Sequence, residues 1–281
     1  MIPSFRNRIL AAVFVFTSLA AFNAKAALPV GVDLGEAGPS QGWAIFTLGN
    51  GVGTNLDMAG QASVTGNVGA AGNGNVTLES SQNTIKGDLY QETTGTLTNN
   101  GTITGHKHQD SNTDMFLNDA AADAQEASDA AAGLMSTYTV PKTFGGPSNL
   151  KITSGQNLTI TQSGSVVLNL NNFSVSGTLT LAGGSGTSYV INVSGQFSLT
   201  NSAQIVLGMG INPQDVLFNL RGTGSASLVG NTQFKGILLA TQRTVSITGS
   251  THVTGEVIAN SVNISAQASI TALPVTPSTN N

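Results

Sequence analysis

Phe234-Lys-Gly236-Ile-Leu238 and Val253-Thr-Gly255-Glu-Val257 lie 19 residues apart and share one form, apolar-x-Gly-x-apolar. The form recurs near the other end of the chain as Val64-Thr-Gly66-Asn-Val68 and Ile85-Lys-Gly87-Asp-Leu89, 21 residues apart, with partial copies at Ile103-Thr-Gly105 and Ile270-Thr-Ala272. A repeated step of this size marks stacked coils rather than hairpins, because each unit can bury its apolar side only against the next. Eight or nine residues before each full motif, and before the copy at Ile270, stands an alternating apolar pair: Leu56/Met58, Val76/Leu78, Ala226/Leu228, Val245/Ile247 and Val262/Ile264. Each pair reads as one short strand with its apolar side inward. Two strands with their turns then give coils of 18–21 residues, and about ten coils would use the chain. The motif glycine suits a corner, where the backbone must turn sharply and neighbouring coils approach closely.

Working outward, the stretch from Leu150 to Leu220 keeps the period of two through Leu158-Thr-Ile160, Leu168-Asn-Leu170, Phe173-Ser-Val175, Leu179-Thr-Leu181, Ile191-Asn-Val193 and Phe197-Ser-Leu199. The runs over Ser188 to Val193 and Val216 to Leu220 are apolar on both sides, which predicts cover from outside the coil. One segment departs from the rhythm. From Thr113 to about Thr137, Phe116, Ala120, Ala124, Ala127, Ala131 and Leu134 share one helical face, so the expected fold is an all-β solenoid with one long Ala-rich α-helix packed alongside. Thr113 is the expected N-cap and Pro141 stands beyond the end. Six acids between Asp110 and Asp129 read as a solvated outer face, with a calcium site or partner surface as the alternative.

Composition agrees with a solenoid. Of 281 residues 34 are Gly and only 9% are charged, against roughly 7% and 25% in ordinary soluble chains. With 40% apolar residues the chain can bury a core, which argues against disorder. Arg6 and Arg8, the apolar run from Ile9 to Ala21, and Ala24-Lys25-Ala26 read as a secretory signal. The run is too short to span a bilayer. Behind the signal 7 basic residues face 14 acids, a balance that disfavours nucleic acid and anionic membrane. No cysteine is present, so disulfides, thiolate metal sites and a lipid-anchored cysteine are excluded. The expected organisation is a signal over 1–26, a single β-solenoid domain over 27–272, and a short disordered tail over 273–281. Leu273-Pro-Val-Thr-Pro277 only approximates a wall-sorting signal, since Pro takes the place of its Gly and no hydrophobic span follows.

Coils, then an Ala-rich helix, then further coils behind a signal resembles the bacterial ice-binding-like β-solenoid domain and the related choice-of-anchor A surface proteins. Ser63-Val-Thr-Gly-Asn-Val-Gly69, Asp119-Ala-Ala-Ala-Asp-Ala124, Tyr189-Val-Ile-Asn-Val-Ser-Gly195, Asp215-Val-Leu-Phe-Asn219, Phe234-Lys-Gly-Ile-Leu-Leu-Ala240 and Val253-Thr-Gly-Glu-Val-Ile-Ala259 carry the resemblance. It implies that the helix lies along the solenoid and that the N-terminal coils stack on the C-terminal ones. It implies, for some members, ice binding through a flat face rich in Thr and Ser.

Thr-x-Thr pairs occur at Thr96/Thr98, Thr102/Thr104, Thr159/Thr161 and Thr178/Thr180. Thr159, Thr161, Thr178 and Thr180 are the candidate ligand face, although outward Thr is also ordinary strand chemistry. Asp33, Asp57, Glu79, Asp88, Glu92, Asp215 and Glu256 are scattered singly, whereas glycoside hydrolysis needs two carboxyls within roughly 5–10 Å. Only Asp88 and Glu256, each beside a motif glycine, would become neighbours if their coils stacked. His106-Lys107-His108 puts two imidazoles at i, i+2, a pattern that holds a metal on a strand but is expected here to be a solvated loop. Gly49-Asn-Gly-Val-Gly53 and Gly183-Gly-Ser-Gly186 open no helix and read as turns. No catalytic, cofactor or metal site is expected. The leading expectation is a secreted, non-catalytic surface, adhesion or matrix-type protein that presents its faces to a repetitive extracellular surface such as glycan or matrix, or to another copy of itself. Ice binding is the second reading and a polysaccharide-active enzyme the third.

Overall fold

The computed structural model describes residue 28, residues 32–50 and residues 53–274. The expected signal over 1–26 and the tail from 275 lie outside them. Leu273, assigned to the tail from sequence, is buried.

The described chain is a parallel β-solenoid of nine coils, each contributing one strand to each of three faces. The expectation of two strands per coil needs correction. Val64-Thr-Gly66-Asn-Val68 reads as one strand but holds two, Ser63–Thr65 on one face and Asn67–Ala70 on the next. Gly66 turns the corner at φ 128°, and Gly236 and Gly255 do the same at φ 143° and 142°. These glycines stack. Gly236 and Gly255 are register partners, and a Cβ on Gly255 would collide with the Gly236 carbonyl oxygen, as one on Gly87 would with that of Gly66. No turn sequence separates the two strands because a single glycine makes the bend.

Coil order in space differs from order in sequence. Coils from 149 to 271 stack first, and Ser269–Thr271 then pairs in parallel with Ser63–Thr65. One coil takes its strands from both parts of the chain, since Trp43–Thr47 lies between 257–259 and the strand Asn67–Ala70. Inward side chains form one apolar column through the whole stack, including the Phe173, Phe197, Phe218 and Phe234 rings at 4.9–5.9 Å centroid separations.

The helix α1 runs over Ser111–Ala132, shorter at its far end than the expected 113–137. Asp110, not Thr113, is the N-cap, and it accepts from the Thr113 backbone N–H and hydroxyl at 2.8 and 2.9 Å. Past Gly133 the chain leaves the helix because Thr137 and Tyr138 donate backbone N–H groups to Val167 on the edge of the first coil. Val140 is buried, and Tyr138 and Phe144 pack on the end of the core.

The helix covers one face. Leu117, Ala120, Ala124, Ala127 and Ala131 meet Val167, Val190, Leu217, Ile237 and Ile258 in a second apolar cluster, which accounts for the runs over Ser188–Val193 and Val216–Leu220. Near its start, Phe116 lies 5.8 Å from Trp43 and 5.9 Å from Tyr90 between ring centroids. Toward its end an asparagine column takes over. Asn169, Asn192 and Asn219 are register partners and donate to the carbonyls of Leu134, Ala131 and Ser128 at 2.8–2.9 Å. The six helix acids are only partly a solvated face. Asp110 caps, Asp114 accepts from Thr93, Asp123 from the Glu36 backbone, and Asp129 pairs with Arg221.

Candidate ligand face

Three faces differ in what they present outward. The helix occupies the first. The second is narrow in what it shows, with essentially one outward residue per rung: Lys151, Ser174, Ser198, Ser227, Ser246, Asn263, Asp57, Thr77 and Thr98 in register. The third, the broad face, shows a double column, and no element among the described residues covers it. Its strands hold two outward residues per coil, at i and i+2, on opposite sides of one inward apolar residue.

The two columns follow from the pairing register. The first reads Asn157, Thr178, Gln204, Gln233, His252, Ser269, Ser63, Thr84 and Thr102. The second reads Thr159, Thr180, Val206, Lys235, Thr254, Thr271, Thr65 and Lys86, and Thr104 continues it beyond the last strand. Rungs repeat at ~4.8 Å and the columns stand ~6.6–6.8 Å apart, as strand geometry fixes. Beneath them Leu179, Ile205, Phe234, Val253, Ile270, Val64 and Ile85 are fully or almost fully buried, so the backbone under the face is held by the core.

Thr159, Thr178 and Thr180 sit on this face, with Thr159 opposite Thr180. Thr161 lies on the same strand but is paired with Ala182, so its row ends after one rung. All four stand at one end of the stack. Thr102 and Thr104 stand at the other end, and Thr98 belongs to the narrow face.

The longest unbroken run of threonines lies in the middle and was not singled out from sequence. Thr254, Thr271 and Thr65 are consecutive in the second column, and all three are exposed. Beside them His252, Ser269 and Ser63 fill the first column, where His252 Nδ1 and the Ser269 hydroxyl are 2.7 Å apart. The signal was present in the repeated motif itself. Its second residue, one before the glycine or before Ala272 in the last copy, is this outward position: Thr65, Lys86, Thr104, Lys235, Thr254 and Thr271.

The remaining candidates go elsewhere. Asp88 and Glu256 are not neighbours, because Trp43–Thr47 and Asn67–Ala70 stand between their strands. Asp88 is at a corner, where the His106 backbone N–H at 2.8 Å leads the contacts that hold its carboxyl below the usual range. The two imidazoles do not form the expected loop. Lys107–His108 is a strand paired with 89–90, both rings approach Asp88, at 3.8 and 3.3 Å, and His108 stacks on Tyr90 at 4.4 Å. Among the described residues no three His, Cys, Asp or Glu are placed to hold a metal ion. Asp57 lies in the narrow-face column, where burial first and Glu79 second raise its carboxyl above the usual range. No helix among the described residues is long and apolar enough to cross a membrane.

Nine three-stranded coils, a covering helix and one open two-column face define a helix-braced β-solenoid whose uncovered surface is a repeating polar lattice. The chain belongs to the ice-binding-like adhesive domain family, whose model matches residues 36–270. A comparison with curated proteins finds no match. Among solved structures, the chain is similar to an ice-binding protein from Arctic yeast, with 17% identity and a TM-score of 0.60 over 89% of this chain and 97% of that one. An ice-binding protein from the Antarctic ascomycete Antarctomyces psychrotrophicus shows 17% identity and a TM-score of 0.58 over 87% and 99%. One from an Antarctic Flavobacteriaceae bacterium shows 22% identity and a TM-score of 0.55, over 90% of this chain but 51% of the other. These findings correct the leading expectation of a surface, adhesion or matrix-type protein, because the solved structures that share this architecture are ice-binding proteins.

Proposed function

We propose that this chain is an exported, non-catalytic ice-binding protein that meets ice through its broad face. One observation carries the reading: it is the face that is both uncovered and doubly periodic, with outward groups in register across nine coils and Thr and Ser on its central rungs. A crystal surface can be matched only by a rigid two-dimensional array. The narrow face has one column and the helix face has none exposed. Thr supplies a hydroxyl and a methyl on a stiff β-branched stem, so its position is defined before contact and little rotamer freedom is lost on binding. Carboxylates are spread over the corner, the narrow face and the helix-covered face, which gives no support to acid catalysis.

The test is ice-recrystallisation inhibition and thermal hysteresis of the purified protein, beside Thr65→Tyr and Thr271→Tyr. Both substitutions point outward and leave the core intact. The wild type is expected to act at micromolar concentration, and each variant to lose at least about tenfold, as central truncations or clashes do in interfaces. Inactive wild type, or a Thr65→Tyr variant with undiminished activity, would overturn the proposal.

A further inference from the structure

Lys86 and Lys235 occupy equivalent places in the second column and bracket the Thr254, Thr271 and Thr65 run, one on each side. Beyond Lys86 the column resumes with Thr104, and beyond Lys235 it resumes with Val206, Thr180 and Thr159. Both lysines stand on the apolar-x-Gly motif at the position where the three inner rungs carry Thr.

We infer that these two lysines set the extent of the ice-contacting patch, confining it to the three rungs between them. This rests on the reading of the broad face as the ice-contacting surface. An ammonium is a compact, strongly hydrated charge on a flexible four-carbon stem. It stands beyond the plane of the Thr hydroxyls and methyls, keeps its own water shell, and must be ordered or displaced before a flat crystal plane can reach the rung beneath. Lys86 is exposed and Lys235 partly so, so neither side chain is folded away. The rungs outside the bracket therefore have suitable groups but do not meet the same plane.

The experiment compares wild type, Lys86→Thr, Lys235→Thr and the double variant, each with and without Thr65→Tyr, with circular dichroism as the check on folding. Thr is at home on an outward strand position, so the fold is expected to persist. The double variant should raise thermal hysteresis at equal concentration by at least about twofold, because the unbroken threonine run lengthens from three rungs to six, up to Val206. The single variants should fall between, and Thr65→Tyr should abolish the gain. Unchanged or lower activity in a folded double variant, with Thr65→Tyr still damaging the wild type, would overturn this inference alone. A wild type indifferent to Thr65→Tyr would instead remove the reading on which it rests.

Discussion

Glu256 carries a carboxyl into the helix-covered side of the solenoid with no hydrogen-bond partner for either oxygen and no exposure. Its register partner is Ile237, and Ile258 two residues on points the same way into the apolar cluster beneath α1. Burial therefore holds this carboxyl well above the usual glutamate range. The consequence for stability has a definite sign. Below about pH 4.5, the ordinary glutamate value, folded and unfolded chains both keep the proton. Above it the unfolded chain ionises while the folded chain stays neutral, so stability falls as the pH rises toward the folded value. Glu256→Met removes the titrating group without leaving a polar atom in its place. Chemical denaturation should find the variant more stable than wild type near pH 8, with the difference shrinking toward pH 4. A constant difference across that range would refute a neutral, buried Glu256. Arg243 shows the opposite solution at another corner. It is buried too, but donates to the carbonyls of Gly222, Gly195, Val193 and Arg221, so its charge is spread over four backbone acceptors from neighbouring coils.

The helix is fastened by a device of the same kind, repeated along an element. Asn169, Asn192 and Asn219 bond to one another at 2.8 Å and to carbonyls in and just beyond the last turns of the helix, where intrahelical acceptors begin to lose their regular partners. Asn219 also accepts from the Ser128 hydroxyl at 2.8 Å. Replacing it with Leu leaves Asn192 Oδ1, the Ser128 hydroxyl and the Ser128 carbonyl without that partner, at an expected cost of about 2–4 kcal/mol in denaturant unfolding. A loss under about 1 kcal/mol would mean that water or helix movement replaces these bonds. At this scale the sequence was informative where period alone decides structure. The coil step, the inward residues, the alanine face and the apolar runs needing cover all follow from spacing. The asparagines in Leu168-Asn-Leu170, Ile191-Asn-Val193 and Phe218-Asn-Leu220 looked like ordinary outward polar residues, because only the helix packed beside them buries Asn192 and Asn219 and gives all three a carbonyl partner. In the coils that carry the motif the third strand was hidden because its boundary is one glycine. The middle of the broad face was hidden for a different reason: Thr65 and Thr271 adjoin only because the two ends of the solenoid domain share a coil.

That shared coil is what makes one body of two coil stacks. The final C-terminal strands and Trp43–Thr47 complete a single turn of the solenoid, so coils near opposite ends of the sequence depend on each other. The helix makes the topology possible. Its 22 residues span ~33 Å, close to the ~38 Å of eight inter-coil steps at ~4.8 Å, and it carries the chain from the coil ending at 108 back to the one beginning at 149. Helix length and coil number are thus matched, with 133–148 closing the difference and covering one end of the core. The other end is treated differently. Leu97 and Ile103 of the coil over 97–108 are only partly buried, and no further coil among the described residues stacks on it. In a solenoid each coil is stabilised mainly by its nearest neighbours, so opening should be easiest there and hardest in the shared coil, which has neighbours on both sides and closure from both parts of the chain. Amide hydrogen exchange is therefore expected to be fastest over 97–108 and slowest over 43–47 and 262–271, with opening free energies differing by at least about 2 kcal/mol. Fastest exchange at 43–47 instead would show that the shared coil is the seam along which the two stacks part, and that the helix rather than the ladder holds the molecule together.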